Sequence, residues 1–287
     1  MKVRMNCNLK IALIYESDEW SNQSIADLLH QKWYEVEYLN IENIDPDNFI
    51  ISNYDILINR VFPSAEMRGH FDALAKTFEL LNKLEVENIP VITGLPEFEY
   101  DCDKYKSYLK MVEAGIEVPK FQLISNIDEK VDISYPLLAK QLCGGRSWNM
   151  KYIESSKSIG ELKIESPCLI QEFIIPDYDF ITRIEFFGYD DYFVLKRILD
   201  GGKIGSYSRN STYEIYESYS DELINTSIKA LKSLNIEMGS LDIIEKSGKY
   251  YVIDANATSN FSKDYIELLG FNPIEKMVNY YIKKLGE

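Results

Sequence analysis

Short apolar runs alternate with amphipathic stretches over the first hundred residues. The apolar runs predict strands at 10–15, 36–39, 56–59 and 89–92, and the 3.6-residue period predicts helices at about 21–32 and 65–87. Strands that alternate with helices predict a doubly wound α/β lobe over residues 1–100. Glu16-Ser-Asp-Glu19 follows the first strand where a G-x-G-x-x-G turn would stand, so a nicotinamide-type Rossmann site is not indicated.

The pattern changes after residue 100. A polar joint at 101–103 leads to a predicted second lobe over 101–175, with a helix at 104–114, an extended segment at 117–124 and strands at 136–140 and 168–175. A third lobe is predicted over 176–287, with mostly antiparallel strands at 182–187, 192–198 and 241–253 and helices at about 221–234 and 273–284. Both lobes are of the α+β class.

A predicted β-hairpin near the C-terminal end carries three polar side chains. The apolar runs 241–244 and 250–253 flank a Lys-Ser-Gly-Lys turn, and residues two apart on a strand share a face, so Asp254 and Asn256 point the same way. A three-residue loop with Gly248 in the left-handed conformation would place Asp242 on that face too. A two-residue loop would place it on the opposite face.

Two carboxylates and an amide oxygen form an all-oxygen set that suits Mg²⁺ and leaves positions for water and phosphate. We therefore predict that Asp242, Asp254 and Asn256 bind magnesium together with a nucleotide. The alternative is that Asp254-Ala-Asn256 ends the strand with turn-forming residues.

Basic residues upstream could hold the phosphates of that nucleotide. Lys140 ends a predicted strand and is followed by the Gly144-Gly145 loop, for which an ordinary hairpin turn is the alternative. Arg183 and Arg197 lie in largely apolar strands and need anionic partners, since an unpaired buried charge is costly. Those partners are either Glu185 or Asp242, in a structural ion pair, or a phosphate. Together with the oxygen set, these residues suit ATP with its metal.

Composition narrows the function classes. Against 31 basic residues stand 46 acidic ones, and a formal charge of −15 argues against a nucleic-acid partner and an anionic membrane surface. The four cysteines contain no C-x-x-C pair, which indicates neither a disulfide framework nor a zinc site. We expect a cytoplasmic protein, because no apolar run reaches the roughly 20 residues of a membrane span and the N-terminus lacks an apolar signal core.

Several common catalytic motifs are missing from the sequence. The chain has no G-K-[ST] and therefore no Walker A loop, and the H-R-D and D-F-G motifs of protein kinases are absent as well. With two histidines in the chain, catalysis by a histidine-activated nucleophile is not indicated.

The order and spacing of these segments resemble the ATP-grasp superfamily, in particular its RimK-like carboxylate–amine ligases. The resemblance rests on Pro136-Leu-Leu-Ala-Lys140 with Gly144-Gly145, Leu169-Ile-Gln-Glu-Phe-Ile174, Gly239-Ser-Leu-Asp242 and Val252-Ile-Asp-Ala-Asn256. Asn59 to Ser64 with the helix after it is similar to the preceding lobe of that branch. The resemblance implies an ATP-grasp fold, with an N-terminal pre-ATP-grasp lobe that binds substrate and two lobes that clamp ATP.

The resemblance also implies roles for individual residues. Lys104 and Lys140 would contact the phosphates, and Gln171, Glu172, Phe173 and Ile174 would form the hinge that clamps adenine. Arg183 and Arg197 would act on the acyl phosphate, Gly144-Gly145 would belong to a closing lid, and Mn²⁺ is the alternative ion to Mg²⁺. The family usually has an acidic residue two positions before Arg183; Ile181 stands there, and Asp179 lies two positions further back. Asp254 replaces the usual glutamate.

The implied reaction is an ATP-dependent ligation of a carboxylate to an amine, through an acyl phosphate, with ADP and phosphate as products. The substrates would be an amino acid or peptide, and Arg60, Arg68, Tyr207 and Arg209 are candidates to grip a carboxylate. A peptide-tailoring macrocyclase and a non-catalytic nucleotide-binding module are the alternatives. Nucleic acid and membrane are not expected as partners, and a homo-oligomer is an open alternative to a monomer.

Overall fold

A computed structural model describes residues 9–126, 128–145, 150–159, 166–199 and 212–286. The strands are β1 (Lys10–Tyr15), β2 (Glu35–Asn40), β3 (Ile56–Asn59), β4 (Val91–Ile92), β5 (Phe121–Ile124), β6 (Leu137–Gln141), β7 (Lys151–Ile153), β8 (Cys168–Glu172), β9 (Phe180–Phe187), β10 (Tyr192–Ile198), β11 (Tyr213–Ile215), β12 (Met238–Lys246) and β13 (Lys249–Asn256). The α-helices are α1 (Trp20–Gln31), α2 (Ala73–Glu87), α3 (Leu95–Cys102), α4 (Lys104–Glu113), α5 (Ser156–Ile159), α6 (Asp221–Ser233), α7 (Asp264–Leu269) and α8 (Pro273–Gly286). No helix in these described ranges has the length and apolar character to cross a membrane.

The chain divides into two compact units, and the first combines the residues up to Phe98 with those from Thr258 onward. Its four strands form a parallel sheet in the order β2-β1-β3-β4, with helices between them, which confirms the predicted doubly wound pattern. Helix α8 packs against α1 in this unit. The division differs from the three predicted lobes, whose boundaries stay a prediction.

The helix predicted at 65–87 is shorter than expected. Residues Glu66–Arg68 form a single 3₁₀ turn, and α2 begins only at Ala73. Gly69 separates the two with a left-handed φ of 94°. Glycine adopts that conformation without the clash that a side chain would cause, so the periodic pattern continues across a real break.

The second unit, Glu99–Ala257, contains two antiparallel sheets. One has the order β5-β8-β6-β7 and the other the order β11-β10-β9-β12-β13. A core between α4, α6 and the larger sheet includes the fully buried Met111, Leu231 and Val252. Alternation along β9 turns Ile184 and Phe186 into this core and leaves Arg183 and Glu185 on the other face, where the candidate site lies.

Candidate nucleotide and metal site

Asp242 and Asp254 lie opposite each other in the hairpin of β12 and β13, and a β-bulge that the sequence did not predict places them there. The hairpin loop has two residues, Ser247 and Gly248, both with positive φ, so of the two loop lengths considered the structure shows the shorter one. The register then shifts by one residue between Asp242 and Ile243, where Ile253 is the extra residue of a β-bulge in β13. Because of the bulge, Asp242 pairs directly with Asp254, and the prediction that they share a face is confirmed.

The two strands approach very closely next to these carboxylates. A Cβ atom at Gly239 would lie 2.1 Å from the backbone oxygen of Asn256, which no real side chain could do. Ser240 pairs with Asn256 and accepts a hydrogen bond from its amide nitrogen at 3.4 Å. Gly239 is thus required by the contact between the strands, and Ser240 helps to orient Asn256.

Asp242 lies between Arg183 and Arg197, the two arginines predicted to belong to the site. Arg183 Nη1 is 3.0 Å from Asp242 Oδ1, and Arg197 Nη1 is 3.3 Å from Asp242 Oδ2. Arg183 also pairs with Glu185 at 2.7 Å and donates to Ser240 Oγ at 2.8 Å. A carboxylate and a phosphate were the two alternative partners for these arginines, and the structure shows the carboxylate. Asp242 forms an ion pair with each of them.

Two lysines reach the neighbouring Asp254 from the other elements of the unit. Lys104 is the first residue of α4, whose N-cap Asp103 accepts hydrogen bonds from the amides of Tyr105 and Lys106. Its Nζ lies 3.3 Å from Asp254 Oδ1 and donates to the carbonyl of Gly144 at 3.0 Å. Burial acts to lower the pKa of Lys104, but the charges of Asp254 and Asp101 outweigh it and hold that pKa above its ordinary value.

Lys140 differs from Lys104 in its partner. It is 8% exposed, near the end of β6, and its Nζ donates to the carbonyl of Ile253 at 3.0 Å. Burial lowers the pKa of Lys140 to about 8, and the nearby carboxylate of Asp254 opposes this shift without cancelling it. Four cationic side chains thus surround two carboxylates within a strongly acidic chain.

The predicted adenine hinge follows β8. Gln171 is buried, and its side-chain oxygen lies 2.9 Å from the hydroxyl of Tyr108. Phe173 donates its amide to the carbonyl of Pro136 at 3.0 Å, whereas no described residue accepts a hydrogen bond from the amide of Ile174. The Ile174 amide is therefore available to a ligand, and the adenine-binding roles of Gln171, Glu172, Phe173 and Ile174 all stay predictions.

Other predicted residues lie around this site or outside the described part of the chain. Asp179 is exposed, and its carbonyl accepts from the amide of Leu199 at 2.8 Å. Gly144 has a φ of 127°, and Gly145 follows it at the limit of the described segment. The rest of the glycine loop, Arg146 and Ser147, and the substrate candidates Tyr207 and Arg209 fall outside the described residues.

The donor set fits a hard divalent ion. Asp242 and Asp254 supply carboxylates, and Asn256, whose amide nitrogen faces Ser240, has its amide oxygen left for a ligand. Among the described residues no group of three or more His, Cys, Asp or Glu side chains could hold a metal. Two carboxylates and one amide are the kind of incomplete set that Mg²⁺ occupies with water and phosphate oxygens.

The two remaining substrate candidates lie in the first unit and differ sharply. Arg68 pairs with Glu16 and, at 2.8 Å, with Glu19. Arg60, 1% exposed and directly after β3, donates to the neutral oxygens of Asn22 at 2.9 Å and Ser21 at 3.4 Å. Its Nη1 is buried. Burial lowers the pKa of Arg60, and the nearby Tyr281 hydroxyl and Glu16 carboxylate oppose this shift without cancelling it.

Sequence reasoning missed three polar residues of these clusters. Tyr108 lies on the amphipathic helix α4, where an aromatic side chain indicates core packing. Ser240 could have been found, because it lies two positions before Asp242 and therefore shares its face. Asp101 is 2% exposed and accepts from the amide of Ala257 at 2.8 Å, a contact between residues far apart in the sequence.

Comparison with known proteins gives two sequence relatives of similar extent, both coenzyme gamma-F420-2:alpha-L-glutamate ligases, and several similar structures. No family model matches the chain. It is 25% identical over 242 residues to the coenzyme gamma-F420-2:alpha-L-glutamate ligase of Methanococcus maripaludis, a match that covers 77% of this chain and 81% of that protein.

Two solved structures match over nearly their whole length. A RimK domain ATP-grasp protein from Sphaerobacter thermophilus has a TM-score of 0.72 at 15% identity, covering 94% of this chain and 98% of that one. The ATP-grasp ligase PsnB, in complex with a minimal precursor, Mg and ADP, has a TM-score of 0.68 at 15% identity, covering 96% and 98%. At such identities the similarity concerns the fold, and the predicted fold class and resemblance are confirmed.

Proposed function

We propose that this chain, which has the ATP-grasp fold, is an ATP-dependent ligase that joins a carboxylate to an amine. The observation that carries the proposal is the cluster in which Lys104, Lys140, Arg183 and Arg197 surround Asp242 and Asp254. Such a mixture of cations and oxygen ligands suits a transferring phosphoryl group and its metal. The sequence similarity to a ligase that acts on coenzyme gamma-F420-2 and L-glutamate supports the same class of reaction.

The chemistry needs ATP because a carboxylate is a poor electrophile. In the first step a carboxylate oxygen attacks the γ-phosphorus, the bond to the β-γ bridging oxygen breaks, and ADP leaves. In the second step the amine attacks the acyl carbon, loses a proton, and inorganic phosphate leaves as the amide bond forms. Arg183 and Arg197 would neutralise the charge of the acyl phosphate and of the tetrahedral intermediate.

The remaining residues of the cluster have supporting roles in this proposal. Lys104 and Lys140 bind the phosphates of the nucleotide, and the Ile174 amide and the Glu172 carbonyl hold adenine. Asp242, Asp254 and Asn256 would hold Mg²⁺, which supplies positive charge to the phosphoryl oxygens when it is bound. To hold the ion, Asp242 would give up one of its two arginine contacts, and that guanidinium would be available to the substrate.

We propose that the acidic substrate is an amino acid or a peptide and that Arg60 binds one of its carboxylates. Arg60 is favoured over Arg68 because both carboxylates near this pair of arginines, Glu16 and Glu19, pair with Arg68. A buried guanidinium with neutral partners is stabilised strongly by an added anion. A peptide-tailoring macrocyclase is the second candidate, since PsnB has the same fold and its structure was determined in complex with a precursor peptide.

The test is ADP release from Mg-ATP by the purified protein, against pools of amino acids, small carboxylates and peptides. Turnover should require both a carboxylate and an amine and should disappear in Asp254→Ala. Asp177→Ala is the matched control, because Asp177 pairs with Lys246 on the surface of the same unit and should leave turnover unchanged. ATP hydrolysis that no added substrate stimulates, or full turnover in Asp254→Ala, would contradict the proposal.

A further inference from the structure

The β-bulge in β13 leaves one buried carbonyl that other elements must satisfy. Ile253 has no partner in the register of β12 and β13, and its residue is 2% exposed. Its carbonyl accepts hydrogen bonds from the hydroxyl of Tyr108 at 2.9 Å and from Nζ of Lys140 at 3.0 Å. Two side chains from α4 and β6 therefore hold the bulge that places Asp254 opposite Asp242.

Only one of these two donors is free of a role in the reaction. Under the proposed function Lys140 binds the nucleotide phosphates, so its bond to Ile253 must weaken or be shared when ATP is present. Tyr108 has no role in the proposed reaction, and its hydroxyl contacts the Ile253 carbonyl and the side chain of Gln171. It is 1% exposed, and its ring packs edge-on against Phe121 with a centroid distance of 5.2 Å, so the hydroxyl stays in place.

The donor and acceptor capacity of the Tyr108 hydroxyl fits these two contacts. A phenol has one proton, which it donates to the Ile253 carbonyl, since that oxygen can only accept. The second contact, 2.9 Å from the side-chain oxygen of Gln171, is satisfied when the Gln171 amide turns its NH₂ group toward the phenol. Tyr108 thus links the end of the predicted metal strand with the strand that leads to the predicted adenine hinge.

We infer that Tyr108 is a positioning residue for the metal site. Its hydrogen bond to the Ile253 carbonyl fixes the bulge, and the bulge fixes the facing arrangement of Asp242 and Asp254. Without the hydroxyl, Lys140 is the remaining donor to that carbonyl. The Ile253 carbonyl and the phosphates of the nucleotide then compete for its ammonium group. The identity of the ion rests on the proposed function, whereas the positioning role of Tyr108 rests on the register of β12 and β13.

The test uses Tyr108→Phe, which removes one oxygen and keeps the packed ring. Binding of Mn²⁺ to the full chain is measured by electron paramagnetic resonance with saturating non-hydrolysable ATP analogue. We expect the variant to bind Mn²⁺ about 10- to 100-fold more weakly, because the removal of a contact that supports a metal ligand usually reduces metal affinity by this factor. In EDTA, where no metal is bound, the affinity for the nucleotide should change less than about twofold, because the bulge positions the ligands of the metal.

Tyr281→Phe is the matched control. Tyr281 is fully buried in the other unit, where its hydroxyl interacts with the Arg60 guanidinium, so the same substitution leaves the contacts of the bulge and of the metal ligands in place and should not change Mn²⁺ affinity. If Tyr108→Phe does not fold, Phe121→Leu replaces it, since it removes the ring that packs edge-on against Tyr108 and should weaken Mn²⁺ binding in the same direction.

Three outcomes would overturn the inference. They are unchanged Mn²⁺ affinity in the folded variant, an equal loss of nucleotide affinity in EDTA, and wild-type protein that binds no Mn²⁺ with the analogue. Mn²⁺ binding that depends on Tyr108 in a protein with no ligase turnover would support the positioning role and contradict only the proposed function.

Discussion

The two arginine clusters of this chain balance their charge in opposite ways. In the second unit, Arg183 and Arg197 share the carboxylate of Asp242. In the first unit, Arg68 pairs with both Glu16 and Glu19, and Arg60 is buried with neutral partners. A carboxylate partner balances the charge of a buried arginine in the absence of a ligand, whereas a buried arginine without one points to an anion from outside the chain.

The largest expected effect comes from the shared carboxylate. Asp242→Asn removes the carboxylate that Arg183 and Arg197 share, so that Arg183 keeps only Glu185 of its two described carboxylate partners, and it removes a proposed metal ligand. We expect kcat to fall about 1,000-fold and the free energy of unfolding to fall by about 2–3 kcal/mol. Urea unfolding and ADP release measure the two quantities. Asp177→Asn, at an exposed ion pair, should cost under about 1 kcal/mol, and equal losses in both variants would contradict the comparison.

Arg68→Met tests the paired arginine of the first unit. It leaves buried Glu16 unpaired, so unfolding should become easier by about 3 kcal/mol at pH 7.5. Burial already raises the pKa of Glu16 against the pull of Arg68, and the variant raises it further. The loss of stability arises only where Glu16 is ionised. It is therefore complete above the pKa of Glu16 in the folded chain, and it shrinks as the pH falls toward the pKa of Glu16 in the unfolded chain. A loss that is the same at pH 7.5 and pH 5.5 would show that the ion pair is not its cause.

The two lysines repeat the contrast within the candidate site. Lys104 pairs with Asp254 and keeps its charge, while Lys140 has a pKa of about 8 in the free protein. We expect kcat/KM for ATP to be flat from about pH 6.5 to 8 and then to fall up to tenfold per pH unit as Lys140 loses its proton. Lys140→Arg keeps its charge at these pH values, so whatever activity it has should not show this fall. A wild-type profile that stays flat to pH 9.5 would contradict the assignment.

The smallest effect on stability is expected for Arg60→Met. Removing a buried charge that has no carboxylate partner should change the free energy of unfolding by less than about 1 kcal/mol in either direction. If Arg60 binds the acidic substrate, KM for that substrate should rise about tenfold or more. A loss of stability as large as that of Arg68→Met would mean that Arg60 is structural and would remove the difference between the two arginines.

Much of the candidate site could be predicted because polar residues interrupt apolar strands. Lys140, Arg183, Arg197 and Asp254 all stand out in this way, and the two-residue period places Asp254 and Asn256 on one face. The structure brings these residues together as expected, although their roles stay predictions.

The route by which Asp242 joins that face could not be predicted. It depends on a bulge whose carbonyl is satisfied by Tyr108 and Lys140, which lie more than 100 positions away in the sequence. The same holds for the helix predicted at 65–87, where apolar spacing continued across the left-handed Gly69. Local patterns report faces and periods, whereas bulges and breaks are decided by distant partners and by single backbone angles.

The division of the chain into units has a consequence for protein synthesis. The first unit needs α8, whose Met277 and Tyr281 are fully buried, yet the ribosome makes Glu99–Ala257 before it makes that helix. The second unit is continuous in sequence and has all its parts once Ala257 has emerged. During translation the second unit can therefore fold first, while β1 to β4 wait for their last helix, which reverses the usual N-terminal-first order of domain folding.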